Sequence, residues 1–359
     1  MTEQSRYYRY EEYFGITSCL NPMDDMVTLV ESLGSLDYLR DVMAERHSLK
    51  SKSDAKRAQA VVHHVGVALD YIDQALAGSR DVSFLPVYYS MLNLAKVYVL
   101  LGPLHVDLPT QRWHGVKHDV GGRDSRTLMT ERVTIKPKGA IPLLYATLTG
   151  KPVGRTDVEL KLRDFYGYIG DIGAEFSLVT GEHSSLCEFL IDDADSVTQA
   201  TPHVLLMPLP GRHRVSLNEA KVLKGTWSRC EPEPYRFPGV RIATGSAMYK
   251  GQSVSTTRNV DPVRRIRAQL NTHLLHHPRE DIVYTPCSRR RLEFPEELPI
   301  ILLFYHMSSV VRYKPEFLAR VRDSRYWPLL LAARRHCLLK FLLLFWSFVH
   351  QKTLIIRHA

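Results

Sequence analysis

Long stretches of this chain carry apolar residues three and four positions apart, and one middle stretch breaks into short apolar runs cut by proline and glycine. Residues 23–47 have Val27, Leu29, Val30, Leu33 and Leu36 as apolar anchors, which predicts a helix with Gly34 as its weak point. The polar segment 48–56 offers Ser53 or Asp54 as the N-cap of a second helix reaching Leu76. In that helix Val61, Val65, Leu69 and Ile72 share one face, and Gly78 and Ser79 end it. Residues 86–101 are apolar on nearly every side, which suits a helix at the centre of a core. Pro86 fits its first turn, and Gly102-Pro103 stop it.

Residues 108–122 read as a polar loop, 132–136 as a weakly alternating strand, and 143–148 as a short helix or strand. Leu160, Leu162, Phe165 and Tyr166 give 157–172 a helical spacing. From 187 to 257 the runs 204–207, 240–244 and 254–257 are bounded by turn residues and predict strands. Helices return over 299–311, over 315–321 with a proline in the first turn, and over 327–350 as one long or two short pieces. The expected fold class is mainly α (α+β). A helical region spans 1–186, a β-containing basic insertion spans 187–293, and C-terminal helices over 294–359 pack back on the first region.

Composition refines this picture. A hydrophobic content of 45% in 359 residues is enough for a large core. The formal charge is +9, and it is uneven. Between 255 and 291, eight arginines (Arg258, Arg264, Arg265, Arg267, Arg279, Arg289, Arg290, Arg291) face Asp261, Glu280 and Asp281, a local excess of +5. Such an excess draws anionic partners, nucleic acid among them. The five cysteines, Cys19, Cys187, Cys230, Cys287 and Cys337, form no Cys-x-x-Cys pair, so neither a disulfide framework nor a zinc pattern is expected. Residues 1–14 lack the apolar core of a signal peptide, and the apolar run 337–349 is short and interrupted by Lys340, so no membrane association is expected.

Three segments resemble the YaaC-like family. They are the helix Tyr88-Tyr89-Ser90-Met91-Leu92-Asn93-Leu94-Ala95-Lys96, the pair His114-Gly115 after it, and the run from Leu303 through Ser308, Ser309, Arg312, Tyr313, Lys314 and Pro315 to Phe317. The resemblance spans about residues 55 to 320 and implies a mainly helical cytoplasmic protein. A tyrosine-pair helix followed by His-Gly, over about residues 55 to 120, is also similar to HEPN-type helical domains. Many of those are ribonucleases of toxin–antitoxin and phage-defence systems, with sites built across a homodimer. Their motif is Arg, a polar residue, then His after four to six others. Here Arg112 is followed by Trp113, with His118 after five, so the polar residue is absent.

Tyr89, Asn93 and Lys96 stand at i, i+4 and i+7, one face of an otherwise apolar helix. They form either the wall of a site facing the His114 loop or an internal hydrogen-bond network. His114 and His118 suit general acid–base cleavage of a phosphodiester, with Arg112 or Lys117 bearing on the phosphorane charge and Asn93 nearby; the alternative is a loop histidine capping backbone groups beside Gly115. RNA supplies its own 2′-OH, so no cofactor or metal is expected. Lys96, Arg264, Arg265, Arg267, Arg289, Arg290 and Arg291 are candidates for nucleic-acid contacts; for the six arginines the alternative is a solvated surface or pairing with Glu293, Glu296 and Glu297. Arg312 and Lys314, ahead of the helix opened by Pro315, are candidates for binding an anion, or form a structural turn with Arg312 in an internal ion pair. His273, His276 and His277 lack a carboxylate at ligand spacing. The other reading is a scaffold without catalysis that binds nucleic acid, a nucleotide or a partner protein.

Overall fold

The first apolar stretch folds as two helices. Asn21 accepts a hydrogen bond from the Met23 N–H at 3.1 Å and Pro22 takes the first turn of α1 (Pro22–Glu31). A 3-10 turn over Ser32–Gly34 then breaks the chain, and the Ser35 hydroxyl caps α2 (Leu36–Arg46). The helix expected over 23–47 therefore divides at Gly34, its weak point. Helix α3 (Lys52–Ala77) starts earlier than expected. Its N-cap is Ser51, whose backbone N–H donates to the Asp54 carboxylate at 2.7 Å; Asp54 is the N3 partner, not the cap.

In this computed structural model residues 13–18, 21–103, 114–118, 128–182 and 295–358 are described, with the backbone of eight further strands between 186 and 286. The described residues are mainly helical. The chain divides into two compact units, one of residues 14–183 and 294–359, the other of residues 1–13 and 184–293.

In the helical unit, α3 turns through Gly78–Ser83 into α4 (Phe84–Leu101), and the two pack along their length. Helix α4 is long and apolar enough to cross a membrane, yet most of it is buried within the unit. Its neighbours are α3, α5 (Ala140–Thr149), and two helices from the far end of the chain. Between α4 and α5 the chain contributes a strand Val116–His118, where a loop was expected. It pairs antiparallel with Arg132–Ile135, which pairs antiparallel with Val158–Lys161. The register sets Val133 opposite Leu160 and His118 opposite Val133.

Residues 157–172 depart from the helix expected there. Val158–Lys161 is a strand with alternating burial, and only α6 (Leu162–Tyr166) is helical before a 3-10 turn at Gly170–Ile172. A short helix α7 (Gly173–Thr180) follows.

The C-terminal helices are α8 (Glu297–Tyr313), α9 (Pro315–Arg322) and a single α10 (Trp327–His350). The α10 aromatics pack round Tyr98 of α4, with Phe348, Phe345 and Phe341 rings at 4.4, 5.7 and 6.3 Å. Each such buried aromatic contributes roughly 1.5–3 kcal/mol. Lys340 breaks this apolar helix but is itself buried, 2.8 Å from the Glu296 carboxylate. Arg334 of α10 donates to the Ser83 hydroxyl (2.6 Å) and the Ala75 carbonyl (3.2 Å), fastening the α3–α4 turn. After α10 a strand Thr353–His358 pairs with Tyr13–Ser18.

In the other unit the eight strands form one sheet, in the order 275–276, 282–286, 186–192, 204–208, 240–244, 247–251, 227–230, with 235–237 also pairing to 240–244. The 204–208 and 240–244 pair is parallel and the others are antiparallel.

Candidate functional site

Tyr88, Tyr89, Asn93 and Lys96 lie on α4 where α3 and α8 flank it. The Asn93 amide is fixed by two partners. Its Nδ2 donates to the Tyr89 carbonyl at 2.8 Å, and its Oδ1 stands 3.0 Å from His64 Nδ1 on α3. Since Oδ1 only accepts, His64 must carry its proton on Nδ1, which leaves Nε2 as the basic nitrogen. Tyr71 of α3 stacks on Tyr89 with ring centroids 5.3 Å apart. From α8, Arg312 donates to the Tyr89 hydroxyl at 3.0 Å and to the Ser308 carbonyl at 3.2 Å. Its guanidinium lies 5.8 Å from the Tyr89 ring centre.

His114 enters from the turn before the strand 116–118. Its Nδ1 is 2.9 Å from the Tyr88 hydroxyl. Backbone packing explains the glycine after it. Gly115 has φ +79°, and a Cβ there would stand 2.5 Å from Pro142 Cδ and 2.8 Å from the Lys138 carbonyl oxygen. The His114 carbonyl accepts from the Ile141 N–H (3.0 Å) and the Gly115 carbonyl from the Lys136 N–H (2.8 Å). The imidazole is thus mounted on a rigid turn.

Charge sets this cluster of side chains apart. Burial lowers the pKa of His64, and the Lys96 ammonium lowers it further against the opposing Asn93 bond. Burial lowers His114 as well, helped by Arg312 and then Lys96. Burial lowers Lys96 itself and pushes the Tyr88 phenol well up. Among the described residues, neither Lys96 nor Arg312 has a carboxylate within ion-pair distance.

Of the residues singled out in the sequence, Asn93, Lys96, His114 and Arg312 come together here. His118 and Lys314 do not. His118 is 5% exposed, with Nε2 2.7 Å from the Glu131 carboxylate, and the Lys314 ammonium is 3.6 Å from that carboxylate. Arg112, Arg264, Arg265, Arg267, Arg289, Arg290 and Arg291 lie outside the described residues.

Two parts of this cluster, α4 with His114 and the end of α8 with Arg312, lie in the segments that resembled a family. The model of a family described as YaaC-like protein matches residues 30–349. The chain belongs to the YaaC-like family. No curated protein and no solved structure matches it. The sequence reading of this YaaC-like chain missed His64, which shares no motif with α4. Its signal was its place on the face of α3 beside Val61 and Val65, and that face meets α4.

Proposed function

We propose that the cluster of Lys96, Arg312, His64 and His114 binds the phosphodiester backbone of RNA and cleaves it without calling on a metal. The observation that carries this reading is the pair of half-buried cations, Lys96 and Arg312, lacking carboxylates among the described residues and flanking two histidines of lowered pKa. Half-buried positive charge without a counter-ion is costly until an anion arrives. A phosphate is the anion that Arg312 and Lys96 suit. In cleavage, His64 Nε2, kept neutral, accepts the proton of the ribose 2′-OH. The 2′-oxygen attacks the adjacent phosphorus, and the 5′-oxygen leaves with a proton from His114. Burial is the main cause that lowers His114; the bound phosphate offsets the part that Arg312 and Lys96 add, which raises the hold of His114 on that proton. Lys96 and Arg312 neutralise the extra charge of the phosphorane. Asn93 sets the His64 tautomer.

The test is incubation of the full chain with single-stranded RNA in EDTA, alongside His114→Ala and His64→Ala. The expected result is cleavage by the wild type that leaves 2′,3′-cyclic phosphate ends and fails in both folded variants. RNA that stays intact but bound, with affinity falling as salt rises, overturns the catalysis and leaves a binding scaffold. RNA that neither binds nor breaks overturns the phosphate site as well.

A further inference from the structure

His118, Glu131 and His306 form a second cluster, distinct from the first. His118 ends the strand 116–118, Glu131 directly precedes the strand 132–135, and His306 sits in the middle of α8. Their exposures are 5%, 1% and 0%. One donor atom from each lies within 4.8 Å of the others. Glu131 Oε2 is 2.7 Å from His118 Nε2 and 3.9 Å from His306 Nε2, the second distance beyond hydrogen-bond reach.

The cluster is held firmly from behind. The His118 N–H donates to the Tyr305 hydroxyl (3.1 Å), which donates to the Val116 carbonyl (3.0 Å). The Glu131 carbonyl accepts from the Leu162 N–H at 3.0 Å. The His118 and His306 rings meet edge to face at 4.5 Å. Yet both ring nitrogens of the fully buried His306 have no hydrogen-bond partner among the described residues, and His118 Nδ1 has none either. A buried imidazole with neither nitrogen satisfied is rare and costly unless something else occupies it.

We infer that His118, Glu131 and His306 bind one divalent transition-metal cation, clipping α8 to the three-stranded sheet. Two imidazoles and a carboxylate suit Zn²⁺, Co²⁺, Ni²⁺ or Fe²⁺; Mg²⁺ and Ca²⁺ call for more oxygen. Donors on a tetrahedral ion with bonds of about 2.0–2.1 Å stand about 3.4 Å apart, and the observed 2.7 and 3.9 Å bracket that spacing. Three protein ligands leave one position for water. Lys314, 3.6 Å from the carboxylate, is the competing cation. Its side chain is 16% exposed, and its long stem lets the ammonium withdraw to solvent as a metal ion enters. No spacing rule reveals such a site, because its ligands are drawn from positions 118, 131 and 306.

The test uses the full chain, stripped with chelator and titrated with Co²⁺ and Zn²⁺. Cobalt should give the visible bands of a low-coordinate nitrogen–oxygen site, and zinc should bind at one equivalent per chain and raise the Tm by several degrees. His306→Gln and Glu131→Gln should lose both responses, and Lys314→Met should bind zinc more tightly. Absence of stoichiometric uptake and Tm shift in the wild type overturns the site without any variant. Uptake that survives His306→Gln places the cation elsewhere, His273, His276 and His277 being the rival group, and overturns the assignment equally.

Discussion

Replacing Lys96 and Arg312 together by glutamine should change how RNA binding responds to salt by an amount that can be worked out beforehand. Each cation lacks a carboxylate among the described residues, so each is free to neutralise one phosphate. For a single strand the slope of log affinity against log salt is about 0.7 for each phosphate that the protein neutralises. Removing two cations takes away about 1.4 of slope, so between roughly 50 and 200 mM salt the double variant loses about sevenfold less affinity than the wild type. Filter binding or fluorescence anisotropy with a short unstructured RNA reads this directly. Lys314→Gln is the control, because Lys314 faces Glu131 and should leave the slope unchanged. The same pair can be read without RNA, through the histidine resonances. Lys96→Gln should raise the pKa of both His64 and His114, and Arg312→Gln should raise that of His114, where its charge outweighs that of Lys96. A folded double variant with the wild-type slope, or a His114 pKa unmoved by either change, refutes the cluster as a phosphate site.

Gly115→Ala should destabilise the chain by about 1–3 kcal/mol in urea denaturation, since it adds a Cβ at positive φ against Pro142. The displaced His114 should weaken RNA binding further. Lys340→Met should cost up to roughly 3–5 kcal/mol by removing the ammonium that faces the Glu296 carboxylate, and a second change, Glu296→Gln, should recover part of it. His350 stands between the Tyr38 hydroxyl and the Trp346 carbonyl, and burial followed by nearby Lys352, His47 and Arg46 pushes its pKa down from 6.5 to about 4. Between those values the folded chain holds fewer protons than the unfolded one, so the contribution is present above pH 6.5 and is lost as pH falls towards 4. The ceiling is about 3.4 kcal/mol, at about 1.36 kcal/mol per pKa unit. Denaturation of wild type and His350→Asn near neutral pH and near the folded pKa isolates this effect, and equal acid losses in the two would rule it out.

Where one element carried the whole pattern, the sequence was enough to read it. Helix α4 was legible because its apolar run, Pro86 and Gly102 all lie on one segment, and the Tyr89, Asn93 and Lys96 stripe was legible for the same reason. Boundaries failed where two signals overlapped. Residues 48–56 hold several capping residues, and only the spacing of Asp54 three positions after Ser51 selects the true one. At 157–172, Leu160, Leu162 and Phe165 satisfy a strand followed by a helix as well as one helix, and pairing with residues 132–135 decides. The strand 116–118 looked like a polar loop because its inward residue is His118. A histidine that faces a carboxylate in the core breaks the apolar alternation by which a buried strand is recognised.

The same cause hid most of the site. Asn93 is bonded to His64, 29 residues away, and Tyr89 to Arg312, 223 residues away, so neither pairing falls within any motif window. Sequence treated Arg312 and Lys314 as one pair because they are neighbours in the chain. They emerge where α8 ends, and their guanidinium and ammonium groups meet opposite surroundings. Lys314 reaches a buried carboxylate; Arg312 reaches a tyrosine hydroxyl and a backbone carbonyl, which leave its charge uncompensated. Two cations two residues apart thus meet different partners, and the proposed roles follow from that: Lys314 would compete with a metal ion for Glu131, and Arg312 would hold an anion beside His114. Exchanging their environments, by Glu131→Gln for one and Tyr89→Glu for the other, should therefore turn Lys314 into the unpaired charge and silence Arg312, with RNA affinity falling only in the second variant.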